Sequence, residues 1–427
     1  MRDSLFPVPF AAVIALLLST TVSPWSPPLA AQAQAEGPKQ RSWGEAYYLA
    51  VGNDGASSAL GQWRMTQEAG LSLNFRTDSG IEVLSDFVVP INPGMDISPS
   101  AVIQQMSLRY SPSDVVTLIV GKQRLNWGTA KIFSAIDTLE VRANPLDVRS
   151  ILTGISGIKA AIIPNDWLSL SFVVLPDDEP RWSRGAARVD FLAEDLGLDL
   201  GLGVVKYAYL DRTVTPPAAP GRLDHIAVMS DGALSAGSLV LYEEAQLRWG
   251  RETGYQFPTM PGFADLGGAD RPIFRGVGGA MIQVELGLSR PVTVLAEYLY
   301  NGDGLDEQES RDFASRYAAW LGSGMPTGAQ LPGVFTGIGG FRRQYIAASL
   351  QEIALDRYFL LSTTGILCLD SLLARLEVSL EWDLSQESSI TMTYEHLDAF
   401  RDASLQPSEL LLVPFRNRLT LTFAASF

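Results

Sequence analysis

The 427-residue sequence holds one cysteine, Cys368, and two histidines, His225 and His396. A lone cysteine cannot build a disulfide framework, and a cysteine-rich zinc site is excluded with it. A histidine-based metal site would have to recruit several carboxylates. Basic runs are missing as well. The 32 Lys and Arg stand against 47 Asp and Glu, giving a formal charge of −15, and no cluster of cations offers the phosphate contacts that nucleic acid requires. No Gly-x-Ser-x-Gly elbow occurs, and neither histidine has an acid–serine context. Gly276-Val277-Gly278-Gly279 precedes no helical pattern, so it is no phosphate loop. The sequence thus assigns no catalytic, cofactor-binding or metal-binding residues, and the expectation is a chain that is not an enzyme.

Long apolar runs are the other absence. Past the N-terminal region no stretch reaches the roughly 18 apolar residues of a membrane-spanning helix. Residues 1–35 read as an export signal: Val8 to Leu18 is a short apolar core, and Ala33-Gln34-Ala35 supplies a small-x-small cleavage pattern, with Ala31-Gln32-Ala33 as a second option. The mature chain is expected to begin near Glu36.

What the sequence does contain is alternation. Leu372, Ala374, Leu376, Val378, Leu380, Trp382 and Leu384 form one face, while Arg375, Glu377, Ser379, Glu381 and Asp383 form the other. A helix would scatter those charges around its surface, whereas a strand sends them all to one side. Leu71, Leu73 and Phe75 oppose Ser72, Asn74 and Arg76 in the same way, and Ile282, Val284, Leu286 and Leu288 oppose Gln283, Glu285 and Gly287. Such alternation fits a strand with lipid on one face and a lumen on the other.

The pattern places strands near 43–52, 64–76, 80–90, 101–111, 114–124, 156–164, 167–176, 186–193, 196–209, 222–230, 238–249, 277–289, 291–301, 342–352, 356–366, 371–385, 388–397 and 414–427. Short links such as Thr77-Asp78-Ser79 and Ser385-Gln386-Glu387 mostly alternate with long ones at 125–155, 250–276, 302–341 and 398–413. Short periplasmic turns against long outer loops are the habit of bacterial outer-membrane barrels. The expected fold is all-β, a transmembrane antiparallel β-barrel over residues 36–427 with about 18 strands, within a range of roughly 14 to 18. The links at 230–237 and 367–370 fit the alternation least well.

Two stretches carry a resemblance. Leu419, Leu421, Phe423 and Phe427, alternating with small polar residues up to the last position, resemble the C-terminal signal that the outer-membrane barrel-insertion machinery reads. Gly121-Lys122-Gln123-Arg124-Leu125-Asn126-Trp127-Gly128, followed by Asn144-Pro145-Leu146-Asp147, resembles a strand-and-loop signature of porin-like barrels related to the alginate-export and capsule-assembly groups. Lys122 stands where that signature usually has Arg, and Ser134-Ala135 replaces its first Asn-Pro. The family is functionally mixed, so the resemblance implies a barrel and passage of solute rather than one substrate.

The loop 125–155 is the candidate constriction. Lys122, Arg124, Trp127, Lys131, Asp137, Glu140, Arg142, Asp147 and Arg149, with Phe133, bring both charge signs and aromatic surface to one outer loop. Folded into the lumen, it would set selectivity; left outside, it would be a solvated loop with Trp127 in the interfacial aromatic belt. Lys122 and Arg124 share the parity of Val116, Leu118 and Val120, so they must lie above the hydrocarbon, or a bulge near Gly121 must shift the register. Candidate lumen-wall residues are Glu82, Asp86, Arg109, Arg188, Asp190, Glu285, Glu297, Arg375, Glu377 and Glu381, joined by Asp199, Glu244, Arg248, Arg416 and Arg418. They either impose a transverse field on solute or form wall salt bridges. In the 302–341 loop, Phe313, Tyr317, Trp320 and Leu321 have helical spacing and suggest a short amphipathic helix over 308–321.

The expected function is an outer-membrane channel for small hydrophilic solutes, in contact with membrane lipid and lipopolysaccharide. The alternative is a non-conducting structural, adhesive or assembly barrel plugged by its loops. Association into a homo-oligomer is left open.

Overall fold

The computed structural model describes residues 39–50, 62–76, 81–91, 102–125, 127–136, 139, 154–178, 180, 183–211, 221–249, 272–311, 342–385, 388–399 and 417–426. The expected export signal lies outside them. The chain divides into two units, Met1–Ala35 and Glu36–Phe427, and the second holds every strand described here.

The strands are β1 (Lys39–Ala50), β2 (Gln62–Arg76), β3 (Ile81–Ile91), β4 (Val102–Tyr110), β5 (Val116–Gln123), β6 (Ile155–Asn165), β7 (Leu168–Leu175), β8 (Arg184–Ala193) and β9 (Leu198–Asp211). They continue with β10 (Gly221–Ala236), β11 (Leu239–Trp249), β12 (Pro272–Val284), β13 (Val292–Asn301), β14 (Gln344–Ala354), β15 (Phe359–Cys368), β16 (Leu373–Ser385), β17 (Ser388–Ala399) and β18 (Asn417–Ser426). Each pairs antiparallel with its neighbours in sequence, and β18 pairs with β1, Glu45 opposite Thr422, so the ladder returns to its start. A ladder without a free edge satisfies its own peptide groups, which is the condition for a β-structure in hydrocarbon.

Links after even-numbered strands are short, at 77–80, 111–115, 166–167, 194–197, 237–238, 285–291, 355–358 and 386–387. Those after odd-numbered strands are mostly longer, at 51–61, 92–101, 124–154, 212–220, 250–271, 302–343 and 400–416, with 176–183 intermediate and 369–372 the exception. Both ends of the ring therefore have a distinct character, one turned and one looped.

The polarity of the ring is inverted relative to a soluble core. Along β11, Leu241, Leu247 and Trp249 are exposed while Tyr242, Glu244, Gln246 and Arg248 are buried. Along β16, Leu376, Trp382 and Leu384 are exposed, whereas Arg375 is buried and bonds Glu377 at 2.9 Å and Glu395 at 3.3 Å. Stacked outward rings, Trp167 on Phe191 and Phe359 on Trp382, lie near the short-turn end, where an interfacial aromatic girdle belongs. No helix among the described residues is long and apolar enough to cross a membrane; the strands provide the apolar surface.

Two elements differ from the sequence expectation. The sequence pattern ends a strand at 230 and places a link over 230–237, yet β10 runs on to Ala236 and turns at Gly237, whose φ is +63°. The 230–237 link is thus a two-residue turn and obeys the alternation. β12 begins at Pro272 and ends at Val284, so Gly276–Gly279 is strand, and the alternation of 285–288 continues into a turn that Gly287 closes at φ +74°.

A charge placed on the outer face is expected to be costly. Leu202 of β9 is an exposed outer-face leucine, and Leu202→Arg should lower unfolding free energy by about 2–4 kcal/mol, read by urea titration in lipid vesicles. A change within about 0.5 kcal/mol, the range of ordinary surface substitutions, would place that face in water.

Candidate functional site

The segment after β5 enters the ring and crosses it. It leaves β5 at Gln123 and is next held by β10, β11 and β13; β13 stands eight places from β5 in a ring of eighteen, close to the far side. Thr129 Oγ1 donates to the carbonyl of Glu243 at 3.1 Å. The amides of Lys131, Ile132 and Phe133 converge on the Glu297 carboxylate at 2.7, 3.1 and 2.8 Å. Tyr242 donates its hydroxyl to the same group at 2.7 Å. Glu244 accepts from the amides of Ala130 and Ala135 at 2.8 and 2.7 Å and from the Ser134 hydroxyl at 3.2 Å. Consecutive amides curled around an anion form a nest, and here the wall supplies the anion. Only an ionised carboxylate, which accepts and does not donate, satisfies so many donors.

Gly128 makes the close approach to Glu244 possible. Its φ is +102°, and a Cβ there would fall 2.2 Å from Glu244 Oε1. This gives the Trp-Gly pair a physical reason: the indole turns one way while the bare backbone passes the carboxylate.

The apolar side of the segment packs as a core inside the ring. Leu125, Ile132, Phe133, Ala135, Ile136 and Leu139 are buried against Val173, Leu175, Val205, Met229, Val277, Leu295, Leu299, Tyr345 and Ile366 from the walls β7 to β15. Phe133 meets Tyr345 with ring centroids 6.2 Å apart. The segment is therefore a fixed partition, held by polar bonds at its turn and by apolar burial along its flank.

Two glycines let long wall side chains reach across a strand. Arg188 of β8 passes over Gly201 of β9, where a Cβ would lie 2.2 Å from its guanidinium, and bonds Asp231 of β10 at 2.5 and 2.9 Å. Tyr242 of β11 passes over Gly279 of β12, where a Cβ would lie 2.3 Å from its ring, to reach Glu297 of β13. Arg188 also pairs with Asp190 at 2.5 Å and stands 6.0 Å from the Trp127 ring centroid, which joins the partition to this charged row.

A second inward segment begins where β13 ends. Asp303 pairs with Arg248 of β11, Leu305 bridges Arg342, and Arg342 Nη1 donates to the Asp306 carbonyl at 3.0 Å. Asp306 opens a helical turn over 307–311: its Oδ1 accepts from the Glu309 amide at 2.8 Å, and Glu309 returns the bond to the Asp306 amide at 2.9 Å. The expected helix thus starts at 307, while Phe313, Tyr317, Trp320 and Leu321 lie outside the described residues.

The residues singled out from sequence separate accordingly. Trp127 is packed on the partition and not in an outer aromatic belt. Lys131 uses its amide on Glu297 and keeps its side chain exposed. Lys122 is on the outward parity near the end of β5, and its Nζ turns back to the Ile103 carbonyl at 2.5 Å. No register shift interrupts β5 against β4 or β6, so its position at the strand end, and not a bulge, accommodates it. Arg124 follows at the strand exit. Asp137, Glu140, Arg142, Asp147, Arg149 and Phe427 lie outside the described residues, as does the side chain of Asp86, whose backbone pairs with Ser72 and Gln105.

On the wall, Glu82 and Arg109 face each other at 3.6 Å, and Glu381 shares the inward parity of Arg375 and Glu377. Glu285 is not a wall residue: it follows the end of β12 and is exposed in the turn. Leu419, Leu421 and Phe423 lie in β18, opposite Tyr48, Ala46 and Gly44. Asp231, Tyr242 and Asp303 were missed, Asp231 because the apparent turn hid the alternation Ala227, Met229, Asp231; Lys159, which takes the inward parity of β6 between exposed Ile158 and its neighbours, was missed with them.

No family model matches the chain, and no curated protein does. Solved structures match its fold. One is Wzi, an outer-membrane protein involved in group 1 capsule assembly in Escherichia coli and a carbohydrate-binding β-barrel, 12% identical over 91% of this chain and 85% of that one, with a TM-score of 0.51. Another is a BenF-like porin from Pseudomonas fluorescens Pf-5, 11% identical over 92% of this chain and 99% of that one, also with a TM-score of 0.51. With a closed ladder, an apolar exterior and a charged interior, the chain has the fold of these bacterial outer-membrane β-barrels.

Glu297→Gln should undock the segment, because an amide oxygen cannot replace two carboxylate oxygens and its NH₂ opposes the incoming amides. The loss of several charge-assisted bonds costs about 3 kcal/mol, so hydrogen exchange at Ile132 and Phe133 should speed up roughly a hundredfold. Unchanged exchange would remove Glu297 from the anchor.

Proposed function

We propose that the barrel is a channel for small hydrophilic solutes, narrowed by the segment 124–139. One observation carries this reading: the inward charges fall into two groups. Glu244, Glu297 and Arg375 are buried, the first two beneath the partition, whereas Arg109 keeps 46% of its side-chain surface open and Asp190 keeps 29%. Inward-facing side chains that remain wet belong to a water-filled space beside the partition. Arg109, Lys159, Asp190 and Asp199, with Lys131 opposite on the segment, line that space with both charge signs, the arrangement that orders and filters polar solute.

Export through residues 1–35, recognition of the last strand by the insertion machinery, and contact with lipopolysaccharide complete the proposal. The buried apolar flank of the partition favours a second reading, a closed barrel that serves assembly or adhesion. The likeness to a carbohydrate-binding barrel of capsule assembly is compatible with it.

Planar-bilayer recording of the chain from Glu36, refolded in detergent, distinguishes them. The wild type should give discrete current steps, and joint Glu244→Gln and Glu297→Gln substitution should enlarge them severalfold by freeing the segment. Lys131→Glu should move the reversal potential in a KCl gradient towards cation preference. If wild type and double variant both insert, folded, without conducting, the channel reading fails and the closed barrel takes its place.

A further inference from the structure

Glu243 is out of place on this surface. On β11 it has outward parity and is exposed, with exposed Leu241 on one side and exposed Leu247 and Trp249 on the other. The flanking strands continue the apolar field: Val228 and Leu234 on β10, Phe274 and Ile282 on β12 are all exposed. The carboxyl therefore stands within the lipid-facing band and not at either rim. Polar groups at such depth are costly in lipid and are relieved by a hydrogen-bonding partner.

The ground around it is bare. Glu243 lies between Gly232 and Gly278 in the strand register, and its Oε1 sits 3.9 Å from where a Gly232 Cβ would be. A Cβ on Gly278 would meet nothing within 4 Å. The Ser230 hydroxyl bonds the Glu243 side chain from the same face. Small residues allow another backbone to come close, as at packed interfaces within membranes.

We infer that this face, Glu243 and Ser230 over Gly232 and Gly278, is the contact between two copies of the barrel. The bilayer itself selects the partner. Two identical chains inserted in one direction can be related only by an axis along the membrane normal, which brings each residue to the depth of its own copy. A second copy presents a carboxyl and a hydroxyl at the depth where Glu243 needs them. A carboxyl group that retains its proton is both donor and acceptor, so the pair is self-complementary across a two-fold axis.

Cysteine cross-linking in intact outer membranes tests this, since Cys368 is buried and does not compete. Glu243→Cys should give a covalent dimer on oxidation, whereas Leu376→Cys, exposed on distant β16, should not. In lipid nanodiscs the wild type should have the mass of two chains. Glu243→Leu and Gly278→Trp should each have the mass of one while keeping heat-modifiable gel migration, and Glu243→Gln, which still donates and accepts, should remain dimeric. The inference is overturned by a monomeric wild type, by a dimer that survives both Glu243→Leu and Gly278→Trp, or by a cross-link to a protein other than this chain. Should Glu243→Leu fail to fold, Gly278→Trp decides alone, because its side chain enters open space.

Discussion

A peptide group in hydrocarbon has no water to bond, and everything else in this barrel follows from meeting that condition around a ring. Closure from β18 to β1 satisfies the backbone laterally. Once the outside must be apolar, most polar side chains of the strands turn inward, and the interior becomes the place where charge accumulates. A ring of eighteen strands is too wide for those side chains to fill alone. The inward segment answers that surplus of space and charge together: its amides hydrogen-bond two wall carboxylates, and its apolar flank occupies volume that water would otherwise hold.

The division of labour inside the ring is uneven. Walls β7 to β15 carry the packed partition, whereas Glu82, Arg109 and Asp190, on β3, β4 and β8, keep water contact. The packed and the exposed parts of the interior meet at β8. Arg188 joins them, since it bonds Asp190 and Asp231 and lies near Trp127 of the segment.

The strands were legible in the sequence because lipid on one side and charge on the other impose a period of two. β16 shows this directly, with Arg375, Glu377 and Glu381 on one parity and Leu376, Trp382 and Leu384 on the other. At strand ends the pattern misleads: it stops β10 at 230, six residues short of Ala236, and carries β12 past Val284, which makes Glu285 a wall position. The partition was legible only as a loop rich in charge and aromatic residues. Its anchors, Glu244 and Glu297, were placed on the wall by parity, but their partners lie 109 to 166 residues away in the chain, a separation that no spacing rule encodes. Gly201 and Gly279 were silent for the same reason, since their role is to leave room for side chains from other strands.

The long reach of those anchors orders events in time. Residues 129–135 are synthesised before β11 and β13, so the segment cannot dock while the first half of the barrel exists alone. Contacts of such high sequence separation form late. Docking of the segment is therefore a late event in folding: until Glu244 and Glu297 arrive in register, Leu125, Ile132, Phe133 and Ile136 remain without their full core.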